Sequence, residues 1–162
     1  MADTTKTVDV QAPLSTVYNQ WTQFEQFPRF MEGVERVDQV DDTHLHWVAD
    51  IAGQRREWDA EIVEQHPDER VAWRARGDVD NSGVVTFHRI DDDNTRIALQ
   101  LRWEPTTFTE TIGDLLGFVS GQAEGDLKRF KLFIEERGVE SGGWRGEVPR
   151  TDGPQAPNVA QN

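Results

Sequence analysis

Four histidines are the side chains in this sequence whose ordinary pKa suits proton transfer or metal binding near neutral pH: His44, His46, His66 and His88. His44 and His46 are two positions apart on a predicted strand and therefore share one face of it. A third ligand with suitable spacing is not evident nearby, and His66 precedes a proline in a predicted turn. We therefore predict no metal site.

His88 and Tyr18 are the two candidates for acid–base chemistry, and neither lies in a recognised catalytic motif. The orientation of His88 depends on the register of the turn at 91–94, because a slip of one residue exchanges the two faces of a strand. One register points Phe87 inward and the other points His88 inward. We expect Phe87 to point inward, so the catalytic residues stay unassigned.

Paired carboxylates are numerous, but Asp59 and Glu61 are predicted to face Arg74 and Arg76 across a strand pair, which is typical of a solvated, ion-paired surface. The chain has no cysteine, which excludes disulfides, thiol catalysis and thiolate metal sites. It also has no Gly-x-Ser-x-Gly motif, phosphate-binding loop or dinucleotide fingerprint. We therefore predict no cofactor.

The charge balance limits the kinds of partner. Lysine and arginine number 17 against 30 aspartates and glutamates, a net charge of −13, which disfavours binding to nucleic acid or to an anionic membrane surface. No run of 18 apolar residues and no signal-peptide pattern is present, so we expect no integral membrane association and a cytoplasmic location.

An apolar period of two runs from Val34 to Trp103 and predicts six strands joined by short, turn-like connections, hence antiparallel neighbours. An earlier strand is predicted at Thr5–Val10, which makes a sheet of about seven strands. The six strands are predicted at 34–40, 44–52, 55–65, 70–76, 83–90 and 95–104.

Two hairpin registers follow from the turn positions. A two-residue turn at Gly53-Gln54 would pair positions whose numbers sum to 107, and a turn at Pro67-Asp68 would pair sums of 135. Both registers place the same apolar residues on one face, so the sheet is predicted to have one dry and one solvated face. The predicted apolar pairs are Ala49–Trp58, Trp47–Ala60, Leu45–Ile62, Ile62–Trp73 and Ala60–Ala75.

Helical periodicity flanks the sheet on both sides in the sequence. Two short helices follow the first strand, the second carrying an aromatic cluster at 24–31, and a long amphipathic helix is predicted from about Thr109 to Arg137. The fold class is therefore α+β, with a curved antiparallel sheet wrapped around a long C-terminal helix. Residues 1–138 form the predicted domain, and 139–162 form a Gly/Pro-rich, largely disordered tail in which only Trp144 and Val148 are candidates for packing back.

A single helix cannot fill a strongly bent sheet, so a cavity between them is predicted, and tryptophans beside alanines on the dry face suit an irregular void. The predicted cavity wall is Trp47, Ala49, Trp58, Ala60, Ile62, Trp73, Phe87, Leu99, Leu101 and Trp103 from the sheet, with Leu115, Leu116, Val119, Ala123 and Leu127 from the long helix. That helix also has a glycine at every fourth position from Gly113 to Gly125. This series is compatible with a soft exposed helix, with a helix that moves to admit a ligand, or with a homodimer contact.

Five segments of the sequence form a recognisable pattern: Trp21…Phe27-Pro28-Arg29-Phe30-Met31, His46-Trp47, Trp58-Asp59-Ala60-Glu61-Ile62, Phe130-Lys131…Ile134-Glu135 and Glu140-Ser141-Gly142-Gly143-Trp144-Arg145-Gly146-Glu147. These segments resemble the polyketide cyclase/dehydrase group of the START-like helix-grip superfamily, and coenzyme Q-binding START-type proteins are similar. The resemblance covers about residues 4–148 and implies the helix-grip fold, as in START and Bet v 1-like proteins, with a cavity for a hydrophobic ligand. It names neither the ligand nor a reaction.

Three functions are compatible with this reading. The first is binding of a small hydrophobic ligand, such as a lipid, a quinone or a polyketide-like ring system. The second is a polyketide cyclase or dehydratase, although the predicted cavity wall holds few ionisable groups. The third is a protein-partner-binding module related to ribosome-association proteins, which the net charge of −13 disfavours for contact with ribosomal RNA.

Overall fold

A computed structural model describes residues 2–51, 53–77, 81–103 and 112–151, without the side chains of Ala2, Trp103 and 112–118. Seven antiparallel strands form one sheet in the order β1-β7-β6-β5-β4-β3-β2. The predicted strands are confirmed to within a few residues at each end. They are β1 Ala2–Val10, β2 Val34–Gln39, β3 His44–Ile51, β4 Gln54–His66, β5 Arg70–Gly77, β6 Asn81–Asp91 and β7 Asn94–Trp103.

In the described part of the chain, three helices accompany the sheet. Helix α1 spans Leu14–Trp21 directly after Pro13, a 3-10 helix spans Phe24–Arg29, and α2 spans Ile112–Arg137. Pro28 lies inside the 3-10 helix, as expected for a segment too short to be a regular α-helix. Helix α2 ends at Gly138, whose φ of 74° is the left-handed conformation that terminates helices.

The predicted register of β4 with β5 is confirmed, and that of β3 with β4 is wrong by two positions. Trp47 pairs with Trp58 rather than with Ala60, because Ile51 pairs with Gln54 and the turn therefore lies one residue earlier. Gly53 has a φ of 84°, a left-handed conformation that glycine adopts readily in a tight turn. The prediction made Gly53 the first of the two central turn residues, whereas the observed pairing makes it the second. A change of two positions keeps every side chain on its predicted face.

The core lies between the concave sheet face and α2. Buried residues of α2 belong to the same apolar cluster as Ala60, Ile62 and Leu99 of the sheet and Trp21 of α1. The α2 residues in this cluster are Ala123, Leu127, Phe130 and Ile134. The expected sheet-around-helix architecture is thus present.

The segment after α2, at 139–151, contacts the rest of the described chain through hydrogen bonds and apolar packing. The backbone N–H of Ser141 donates to Gln20 Oε1 at 2.7 Å, and Val148 forms an antiparallel bridge with Gln65. Trp144 and Val148 do pack back as expected, with Val148 only 7% exposed. Composition alone could not indicate that the rest of this segment packs, because side chains of α1 form hydrogen bonds with its backbone. Residues 152–162 lie outside the described residues.

Candidate functional site

A cavity of about 220 Å³ lies between the sheet, α2 and the 3-10 helix. Of the predicted wall, the residues that line it are Trp47, Ala49, Trp58, Ala60, Ile62, Trp73, Leu99, Leu101, Val119, Ala123 and Leu127. Three further predictions, Trp103, Leu115 and Leu116, have side chains outside the described part of the structure. The alternation of the strands therefore places most of the predicted residues at one cavity.

Phe87 points inward as expected but does not line the cavity. Its ring packs edge-on against Tyr18 with the ring centroids 5.3 Å apart, and against Trp21 at 6.3 Å. Phe87 therefore belongs to the solid part of the core, beneath α1. The prediction identified its face correctly and placed it at the wrong position along that face.

Aromatic rings form one wall of the cavity. The indoles of Trp47 and Trp58 are stacked, with centroids 5.7 Å apart and planes 12° from parallel. Phe27 of the 3-10 helix lies 5.6 Å from Trp47 and 5.3 Å from Trp21. Flat apolar surfaces of this kind pack well against a planar ring system.

The segment around the 3-10 helix and several further strand residues also line the cavity. The aromatic cluster at 24–31 is visible in the sequence, but its position relative to the cavity depends on tertiary packing. The additional apolar lining residues are Trp21, Phe24, Phe27, Met31, Val34, Leu45, Ile51 and Val71.

Trp73 is held at the cavity by a polar partner and by a glycine. Its indole N–H donates to Asn81 Oδ1 at 3.1 Å, and both residues line the cavity. A Cβ at Gly83 would lie 2.5 Å from Cζ2 of Trp73, so only glycine leaves room for the ring there. This glycine could have been noted from its pairing opposite Trp73 in the ladder.

A polar edge of the cavity is formed by α2. Asp126 lines the cavity and accepts hydrogen bonds from Arg129 Nη2 at 2.6 Å and from the backbone N–H of Glu32 at 3.3 Å. Burial raises the pKa of the Asp126 carboxyl, against the opposing effect of Arg129. Gln122 lines the cavity one helical turn earlier. Their spacing of four residues beside Ala123 and Leu127 was the available signal in the sequence.

Both candidate acid–base residues lie away from the cavity. His88 is exposed, and its Nε2 lies 2.9 Å from Thr86 Oγ1. Tyr18 is buried, its hydroxyl accepts a hydrogen bond from Gln65 Nε2 at 3.0 Å, and burial raises its pKa. Neither side chain is among the cavity lining.

The other histidines lie on the solvated side of the sheet with carboxylate partners. His46 contacts Asp59 at 2.8 Å and Glu57 at 3.0 Å, and both carboxylates raise its pKa. His44 contacts Asp41 at 2.9 Å. Among the described residues, no three His, Asp or Glu side chains are grouped to hold a metal ion.

The sheet and the long helix together define a START-like helix-grip domain with an internal cavity. Residues 10–131 match the family model for polyketide cyclase/dehydrase and lipid transport proteins, and the chain belongs to this family. Within the part of the chain that the structure describes, no helix is long and apolar enough to cross a membrane.

Relatives and solved structures agree with this assignment. An uncharacterised 17.2 kDa protein of Streptomyces lincolnensis, from the melC2-rnhH intergenic region, is 56% identical over 149 residues, which are 91% of this chain and 99% of that protein. A START superfamily protein from Mycobacterium smegmatis matches with a TM-score of 0.71 at 15% identity, over 83% of this chain and 98% of its own. The Zhui aromatase/cyclase from Streptomyces sp. R1128 matches with a TM-score of 0.69 at 19% identity, over 88% and 99% of the two chains. These two structures support the fold.

Proposed function

We propose that this protein binds a small, apolar, ring-containing molecule in the cavity between the sheet and α2. The observation that carries the proposal is the cavity of about 220 Å³ whose wall includes the stacked Trp47 and Trp58 rings. Burial of ligand supplies the affinity, at roughly 25 cal/mol per Å² of apolar surface before the cost of ordering the ligand. A lipid, a quinone or a polyketide-like ring system has this character.

The setting that we propose is the cytoplasm, with a small molecule as the partner. Nucleic acid is a poor partner for a chain of net charge −13, because affinity for phosphates comes mainly from lysine and arginine.

The cyclase or dehydratase alternative has less support. His88 is exposed and Tyr18 is buried away from the cavity, so neither can reach a ligand enclosed there. Asp126 is the ionisable side chain at the cavity that such chemistry would have to use, with Asp50 at its rim.

Native mass spectrometry of protein purified from its own host tests the proposal. We expect an additional mass of a small molecule that leaves on denaturation. The matched variant is Ala123→Phe, which places a ring in the cavity and should abolish the additional mass, while Gly121→Ala, whose new Cβ meets open space on the same helix, should retain it. Protein from the host with no bound molecule, which also fails to bind the neutral dye Nile red, would contradict the proposal.

A further inference from the structure

The charged side chains that line the cavity, among the described residues, are all negative. Two carboxylates and two amides line it, and none of the described lining residues is a lysine, arginine or histidine. The four polar side chains are Asp50, Asp126, Asn81 and Gln122. A ligand with a negative charge would therefore meet no positive side chain along this wall.

The two oxygens of the Asp126 carboxylate have different surroundings. Both of its hydrogen bonds, from Arg129 and from Glu32, end on Oδ1, so Oδ2 has no hydrogen-bond partner among the described residues. Gln122, which precedes it by four residues on α2, makes no hydrogen bond with a described residue. A free carboxylate oxygen accepts a hydrogen bond, and an amide both donates and accepts.

The nearest cation to Asp126 is already engaged. Arg129 Nε donates to the backbone carbonyl of Phe30 at 2.9 Å, Nη2 donates to Asp126, and Nη1 lies 3.9 Å from a Glu32 carboxylate oxygen. Arg129 does not line the cavity. A ligand carboxylate beside Asp126 would therefore be buried without a counter-charge, which is costly.

We propose that Asp126 makes the cavity selective for uncharged ligands that carry a hydroxyl group. The hydroxyl donates to the Asp126 carboxylate, the rings lie against the aromatic wall, and a carboxylate of the same shape is excluded by charge. This inference rests on the proposed function, since it concerns the same cavity. It predicts that fatty acids and other anionic lipids are poor ligands.

Three probes with the same two rings test the proposal: 2-naphthol, naphthalene and 2-naphthoate, each titrated at neutral pH by displacement of Nile red. We expect 2-naphthol to bind more tightly than naphthalene, and 2-naphthoate to bind about tenfold or more weakly than 2-naphthol. Asp126→Asn keeps the shape and removes the charge, so it should reduce the difference between naphthol and naphthoate severalfold or more.

The matched control is Glu124→Gln, which removes the same charge from an exposed carboxylate of α2 that pairs with Lys6 and Lys128. It should leave the ratio of naphthol to naphthoate affinity unchanged. Should Asp126→Asn fail to fold, Asp126→Ser replaces it.

The outcomes separate the two proposals. Equal binding of naphthol and naphthoate, or equal ratios in the Asp126 and Glu124 variants, would overturn the role of Asp126 while ligand binding stands. Failure of Nile red and of all three probes to bind would overturn both.

Discussion

Gly83 determines how much room Trp73 has at the cavity. A Cβ there would lie 2.5 Å from the Trp73 ring and 2.7 Å from the backbone oxygen of Gln100. We predict that Gly83→Ala destabilises the protein by about 1–3 kcal/mol, because either the indole or the β7 backbone must move. Urea unfolding measures the change. A variant as stable as the unaltered protein would show that the ring position is adjustable.

Gly121 provides the opposite case. It lies inside α2, and a Cβ there would contact nothing within 4 Å. We predict that Gly121→Ala stabilises the protein by about 0.5–1 kcal/mol, because alanine loses less backbone entropy in a helix. The same urea experiment should show a higher midpoint, and a lower one would indicate that this face of α2 is covered.

His46 gives the protein a predictable pH dependence. Asp59 and Glu57 raise its pKa above the unfolded value of 6.5, so the folded state binds the proton more tightly. The resulting stabilisation is present below pH 6.5 and is lost as the pH rises through the higher folded pKa. We predict that the free energy of unfolding falls over this interval, and that it falls less in His46→Gln.

The control for His46 is His88→Gln, because His88 makes no contact with a carboxylate among the described residues. This variant controls for the replacement of an exposed histidine as such. Identical profiles for all three proteins would contradict the assignment to His46.

Most of the apolar cavity wall could be predicted from single residues, because strand alternation fixes which face a side chain occupies. Trp47, Trp58 and Trp73 were placed in this way. The place of Asp126 at the cavity could not be predicted in this way, because it depends on the loop whose Glu32 backbone N–H donates a hydrogen bond to its carboxylate. Strand alternation predicts that Phe87 lies on the inner face and His88 on the outer face. It does not give the distance of either side chain from the cavity.

At the scale of elements, the segment at 139–151 completes the domain by covering α1. Trp144 N–H donates to Thr22 Oγ1 at 2.9 Å, and Gln65 and Val148 exchange backbone hydrogen bonds of 2.9 Å. We predict that a chain ending at Gly138 loses several kcal/mol of stability, since it also exposes the buried Gln20 and Gln65 amides.

A chain ending at Thr151 is the control for this truncation, because it retains every contact described for the segment. Its urea midpoint should be close to that of the full chain. Equal midpoints for the chains ending at 138 and 151 would show that the segment contributes nothing to folding.

The order and type of the elements could be predicted because long periodic runs and short turns leave few alternatives. The β3–β4 register could not, because Gly53 is compatible with two adjacent turn positions and both keep the same faces. The packing of 139–151 depends on hydrogen bonds to side chains of α1, which have no periodic pattern to reveal them.

At the scale of the whole molecule, the space that a ligand would occupy is space that no side chain fills, so filling it should stabilise the fold and weaken binding. Ala123 lines it, and Ala123→Leu would fill part of the space. We predict that the free energy of unfolding of this variant equals that of the unaltered protein or exceeds it by up to about 1 kcal/mol. We also predict that the variant binds Nile red more weakly. Urea unfolding and dye titration on one preparation measure both effects.

Ala75→Leu is the matched control, because Ala75 is 2% exposed in the core and does not line the cavity. The same enlargement there should cost about 1–3 kcal/mol through overpacking. Equal destabilisation by the two substitutions would indicate that the space beside Ala123 is not available to a side chain.

The stacked pair of Trp47 and Trp58 also gives this domain a built-in optical reporter. Two stacked indoles with centroids 5.7 Å apart couple their electronic transitions, so their contribution to the circular dichroism spectrum should depend on their mutual geometry. A molecule that inserts beside them and changes their spacing would change that signal. Binding of a candidate molecule in the cavity could then be followed on unlabelled protein.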